Sequence, residues 1–204
     1  YVTDIRIAGG TPSVAFFDIV GMKLYNNANG YGKGDEFLLN FAATLKKVFP
    51  NNLICRMAND HFTVVADMKN IEDKLCEVRK YVKSVVSKIS MDVNIGVCKI
   101  DDFETMVDAC EKAKIACKVQ KQSSDNFFRY YDEDLRKTLV LQNYVVNHID
   151  EAINNGYIKV YYQPVVRTIT ETFCGMEALA RWVDPQYGFL NPAVFIGALE
   201  ESRH

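Results

Sequence analysis

The sequence predicts an α+β protein in which helices pack on one sheet that contains antiparallel pairs. Two observations carry this. Short, mostly apolar runs of strand length recur at 14–20, 53–57, 62–66 and 92–100. Between them, apolar residues recur at three- and four-residue spacing over 34–49, 70–89 and 103–120, each long enough for an amphipathic helix. With a last strand at 127–131 the order becomes β-α-β-β-α-β-α-β, which suits a single sheet with helices laid on it.

Each element has a local reason. Residues 14–20 read Val-Ala-Phe-Phe-Asp-Ile-Val, a buried-strand pattern broken by one carboxylate, Asp18. The helix over 34–49 places Leu38, Phe41, Ala42, Leu45, Val48 and Phe49 on one stripe and ends at Pro50-Asn51. Asp35, near its start, suits an N-cap. Ala58-Asn59-Asp60-His61 lies between two short strands and reads as the turn of a hairpin. From 133 the pattern changes to one long helical segment, closed near 155 by Gly156 as a C-terminal cap. Strand-like runs follow at 158–166 and 172–182, then a Pro/Gly loop and a helix opening at Pro192. The expected division is therefore 1–132, a linking helix at 133–156 that could also open the second domain, and 157–204.

Composition bounds the function. A chain of 204 residues, 49% hydrophobic and 25% charged, fits one large domain or one domain with part of another. The formal net charge is −2, with no run of like charge, which argues against a nucleic-acid or membrane surface but leaves room for a small nucleotide site. Six cysteines form no CxxC pair and no zinc-like spacing, so they are expected to be buried thiols of a reducing, cytoplasmic compartment. No apolar run reaches membrane-spanning length. Any anchor or sensor is expected to lie outside these residues.

Phe17-Asp18-Ile19-Val20, Lys23, Asn26-Asn27 and Gly30-Tyr31-x-x-Gly34-Asp35-x-x-Leu38-Leu39 carry a specific resemblance. Over about residues 14–131 the chain resembles the GGDEF domains, which make cyclic di-GMP. The "GDEF" string at 34–37 occupies the helix-opening motif upstream of the family's signature; the signature position itself holds Arg56-Met57-Ala58-Asn59-Asp60-His61-Phe62. The resemblance implies a nucleotidyl-cyclase-type sheet. It also implies Mg²⁺ (or Mn²⁺) held by Asp18 and Asp60, Asp60 at the reacting centre, GTP as ligand, guanine contacts from Asn26 and Asp35, and a phosphate contact from Lys118. Two carboxylates on adjacent strands are suitable hard ligands for such an ion.

Several family positions are changed. Ala58 and Asn59 replace a glycine pair whose lack of Cβ lets backbone N–H groups approach a triphosphate. His61 replaces an acidic residue with an imidazole, Val20 replaces the second strand aspartate, and Gln122 stands where the family has arginine. The inhibitory Arg-x-x-Asp motif is also absent, Phe49 and Asn52 holding its positions. Cyclisation requires metal, phosphates and a second protomer's nucleotide in close register. The expectation is a catalytically inactive regulatory domain. An active cyclase with a divergent signature, and a nucleotide-free dimerisation module, stay open as alternatives.

The second part has its own motifs: Tyr161-Tyr-Gln-Pro-Val-Val166, Gly175-Met-Glu-Ala-Leu-Ala-Arg-Trp182 and Asp184-Pro185-x-x-Gly188. Over 158–202 it resembles the start of an EAL domain, the cyclic di-GMP phosphodiesterase. This implies Glu177 as a metal-binding catalytic glutamate and Gln163, Leu179 and Arg181 as substrate contacts. Two-metal hydrolysis of a phosphodiester needs such carboxylates, and an arginine suits the phosphate. EAL domains are TIM-type barrels of roughly 250 residues, so 157–204 is expected to be the truncated opening of one, unable to hydrolyse cyclic di-GMP alone.

Overall fold

The computed structural model describes residues 1–85, 91–102, 104–120 and 126–202. The chain divides into two compact units, Tyr1–Asp132 and Glu133–His204.

The first unit is built on a five-stranded sheet. Its strands are β1 (Pro12–Val20), β2 (Leu53–Ala58), β3 (His61–Asp67), β4 (Asp92–Lys99) and β5 (Phe128–Tyr130). Their order is β2-β3-β1-β4-β5, with β1 antiparallel to both neighbours and β5 parallel to β4. Alternation along β1 sends Ala15, Phe17 and Ile19 to one face and Val14, Phe16 and Asp18 to the other. The first face is covered by α3 (Tyr31–Val48) and α4 (Ile71–Val85), where Phe37, Phe41, Leu45, Leu75 and Val78 complete the larger core. The second face is covered by α5 (Met106–Gln120) through Ala109, Ala113 and Cys117. Asp18 therefore lies under α5, on the side away from the main aromatic core.

Three features depart from the sequence expectations. Short helices α1 (Val2–Ile7) and α2 (Met22–Asn29) flank β1. The helix expected from 34 begins at Tyr31 with Gly30 as N-cap and no side-chain cap bond, so Asp35 is not its cap. Instead Asp35 sits exposed within the helix. Finally, Cys98 and Cys117 are buried as expected, but Cys55 and Cys174 are exposed because both occupy strands with little cover. The ends expected for two helices, at 86–89 and at Phe103, lie outside the described residues, as does Gln122.

The second unit comprises α6 (Glu133–Asn154), an antiparallel sheet β6-β7-β8 (Ile158–Val166, Phe173–Asp184, Gly188–Leu190) and α7 (Pro192–Ser202). The short β8 falls where the sequence suggests only a loop. Val145 and Ala152 of α6 pack with Trp182, Leu190, Phe195 and Ala198, so the long helix shares this unit's core. Asp184 fastens the turn after β7. It accepts bonds from Tyr144 Oη (3.2 and 3.1 Å), Trp182 Nε1 (3.1 Å) and the backbone N–H groups of Gln186 and Tyr187 (2.8 and 3.0 Å).

Candidate functional site

The site in the first unit forms where the β2–β3 hairpin meets the end of β1. In its two-residue turn Asn59 takes a positive φ of 43°, a conformation asparagine tolerates. Arg56 clasps the turn, donating from Nε and Nη2 to the Asn59 carbonyl at 2.8 and 2.6 Å. The Asp60 carbonyl in turn accepts from the Ile19 N–H at 3.3 Å, tying the hairpin to the strand that carries Asp18. In the antiparallel register, His61 lies directly opposite Asp18.

These constraints bring three side chains together. His61 Nε2 is 3.6 Å from Asp18 Oδ1 and 3.8 Å from Asp60 Oδ1. One ligand atom from each of Asp18, Asp60 and His61 falls within 4.8 Å of the other two. The Asp18 side chain is only 10% exposed, so its charge faces the cluster rather than bulk water. Phe16 flanks the imidazole, the ring centroids being 5.3 Å apart. A cavity of about 240 Å³ opens beside them, lined by Asp18 and His61 from the sheet and by Glu111, Lys114 and Lys118 from α5. The donors suit a divalent cation, and the two lysines, one helical turn apart, suit an adjoining polyanion.

Asp18 and Asp60 stand in the ligand cluster with His61, and Lys118 lines the cavity beside Asp18. Asn26 and Asp35 lie on α2 and α3. There Asn26 Oδ1 packs against Gly34, buried and without a hydrogen-bond partner. The sequence reading missed Lys114, which a four-residue step back from Lys118 would have found. It also missed the approach of His61 to both carboxylates, which depends on strand register.

In the second unit, Gln163 pairs directly with Glu177 across β6 and β7. Leu179 and Arg181 follow Glu177 at two-residue steps, so all four residues share one face of the hairpin. Arg181 donates to the Ala180 carbonyl at 2.8 Å. The opposite face carries Ile158, Ala180 and Trp182 into the core with α6 and α7.

The sheet order, with a carboxylate at the end of β1 beside another in the hairpin, defines a nucleotidyl-cyclase-type domain. The family model described as "Diguanylate cyclase, GGDEF domain" matches residues 7–127, and the chain belongs to that family. The model described as "EAL domain" matches residues 146–204, so the start of an EAL domain follows. Among curated proteins, the chain is 24% identical over 199 residues to the bifunctional diguanylate cyclase/cyclic di-GMP phosphodiesterase MucR of Pseudomonas aeruginosa, and 28% over 202 residues to the signaling protein YkoW of Bacillus subtilis. These alignments cover 93% of this chain in each case but 29% and 25% of the relatives, so the chain spans less than a third of their length. Among solved structures, the GGDEF domain of DgcB from Caulobacter crescentus, in complex with c-di-GMP, matches with TM-score 0.54 at 20% identity, over 63% of this chain and 82% of that one. The Vibrio cholerae LapD S helix-GGDEF-EAL structure covers 98% of this chain and 49% of its own, with TM-score 0.60 at 16% identity. At these identities the likeness is one of fold. Among the described residues, no helix is long and apolar enough to cross a membrane.

Proposed function

We propose that the chain is part of a bacterial cyclic di-GMP signalling protein whose GGDEF domain (residues 1–132) binds GTP with a divalent cation but does not cyclise it. The observation that carries this is the imidazole of His61, set 3.6 Å from Asp18 and 3.8 Å from Asp60. It stands where the family signature has an acidic residue. The cleft keeps Asp18 and Asp60, which match the family's metal ligands, and Lys118, which matches its phosphate-contacting lysine, while a carboxylate that could take part in proton transfer is replaced. Asn59 and Ala58 add side chains where the signature has glycines.

In this reading the GGDEF domain is regulatory. GTP occupancy acts through the helix at 133–156 on the EAL domain that opens at 157, and the complete EAL domain hydrolyses cyclic di-GMP using Glu177, with Gln163, Leu179 and Arg181 at the substrate. Such an effect requires GTP to bind one state of the protein more tightly than the other. The setting is cytoplasmic, with any anchor in other segments, and a homodimer is the arrangement in which two GGDEF sites would face each other.

The test is to incubate the purified chain with GTP and Mg²⁺ or Mn²⁺ and resolve the nucleotides by chromatography, alongside calorimetric titration of GTP. Unchanged GTP with saturable, cation-dependent binding that is lost in Asp18→Ala and Asp35→Ala is the expected result. Cyclic di-GMP or its linear precursor would identify a working divergent cyclase. A flat titration would identify a nucleotide-free interaction module.

A further inference from the structure

We infer that His61 is itself a metal ligand, and that Asp18, Asp60 and His61 form a mixed carboxylate–imidazole site that takes a borderline divalent transition ion (Mn²⁺, Co²⁺ or Zn²⁺) in preference to Mg²⁺. The inference rests on the reading of this cleft as a cation site and adds its third ligand and its selectivity.

The spacing of the three groups leaves room for one ion between them. A histidine donating to a carboxylate would sit at roughly 2.7–3.2 Å, whereas Nε2 lies 3.6 and 3.8 Å from the two carboxylate oxygens. Ligands on one ion, with bonds of roughly 2.0–2.2 Å, lie about 3–3.5 Å from one another. Closing the cluster onto a cation therefore takes small side-chain shifts. The backbone favours those shifts, because β1 and the hairpin are already joined through Ile19 N–H and the Asp60 carbonyl. The Phe16 ring limits the imidazole's escape on one side. Carboxylates alone suit Mg²⁺, which dehydrates reluctantly and bonds poorly to nitrogen; adding imidazole moves the preference toward Mn²⁺, Co²⁺ and Zn²⁺. The cavity beside the cluster leaves room for water or a phosphate oxygen to complete the coordination.

The experiment titrates the purified chain, without nucleotide, with Co²⁺ and with Mg²⁺, following Co²⁺ by its visible absorption and both by calorimetry. Cys55→Ser/Cys174→Ser serves as background because those thiols are exposed and could bind Co²⁺. One Co²⁺ should bind more tightly than Mg²⁺. His61→Gln should weaken Co²⁺ by at least about tenfold, as loss of ligand support does at metal sites, with little change for Mg²⁺. His148→Gln should leave both unchanged, and Asp18→Asn should remove both. Circular dichroism establishes that each variant is folded. Equal Co²⁺ affinity in His61→Gln, thiolate-type absorption, or Co²⁺ binding no tighter than Mg²⁺ would overturn the inference. Mg²⁺-dependent GTP binding that survives such a result would leave the nucleotide reading intact.

Discussion

The side-chain amide of Asn26 fills the space that a Cβ on Gly34 would need: Oδ1 lies 1.9 Å from that position. Gly34 thus lets α2 and α3 approach closely enough to hold Asn26 in place. In the same helix, Gly32 has nothing within 4 Å of its Cβ position. The two glycines should therefore respond to alanine differently. Gly32→Ala should stabilise by about 0.5–1 kcal/mol through helix propensity. Gly34→Ala should gain less or nothing, because its Cβ must push the Asn26 amide aside, and should weaken GTP binding by displacing Asn26. Urea denaturation of both variants checks the difference.

Gly96 on β4 offers a harsher case. A Cβ there would meet the Ala113 carbonyl at 1.8 Å and the Cys117 N–H nitrogen at 2.4 Å, both backbone atoms of α5. No side-chain rotation relieves this, so the helix itself must move. Because α5 carries Lys114 and Lys118 to the cavity, Gly96→Ala should lower thermal stability by several degrees or more, a shift that follows from even about 1 kcal/mol in a domain of this size. It should also impair GTP binding where the variant still folds.

Much of this was readable from residue order, and the parts that were not have identifiable causes. Asp18 in an apolar strand and the Ala58–His61 turn gave the position of the site, because strand alternation and hairpin chemistry are local. Helix α2 escaped notice because Asn26, Asn27 and Asn29 read as turn formers and Met22 is its one buried residue. Strand β8 has three residues, too few to show a period. The cluster of Asp18, Asp60 and His61 is set by the 18–61 register of β1 and β3, a long-range pairing that composition and spacing do not encode. The Gln163–Glu177 pair is hidden for the same reason.

Exposure of two cysteines gives a chemical readout of the fold. Cys55 and Cys174 should react quickly with a disulfide reagent at pH 8, while Cys98 and Cys117 should react only on unfolding. Burial, the largest effect, together with Glu104 pushes the Cys98 thiol up to about 12, so its thiolate is scarce in the native state. Reaction traces of the native and denatured chain, with Cys55→Ser and Cys174→Ser removing the fast phase in turn, check this. With the partly buried Cys76 and Cys110 also replaced by serine, a fast phase that still survives would contradict the packing of β4 and α5 around Cys98 and Cys117.

Asp184 makes the second unit pH-sensitive in a definite direction. Burial alone would raise its pKa, but the N–H groups of Tyr187 and Gln186, with Tyr144 and Trp182, together outweigh it and hold the carboxyl below its usual value of 3.8. A group depressed in the folded state contributes stability that is fully present above its unfolded pKa and is lost as pH falls through the folded one. The contribution should thus be intact at neutral pH and fade only below about pH 4. Asp184→Ala should leave the Tyr144 hydroxyl, the Trp182 N–H and two backbone N–H groups without their acceptor. Of these donors Trp182 is fully buried, and leaving its N–H unpaired costs about 1–3 kcal/mol. Trp182 is the only tryptophan, is fully buried, and donates to Asp184, so its fluorescence reports this unit directly. Followed by this emission, the native chain's stability to urea should hold from pH 7 down to about pH 4 and decline below it, whereas Asp184→Ala should show lower stability to urea already at pH 7. A variant as stable as the native chain would mean that the turn after β7 is held by packing on Leu190 and Phe195 rather than by the carboxylate.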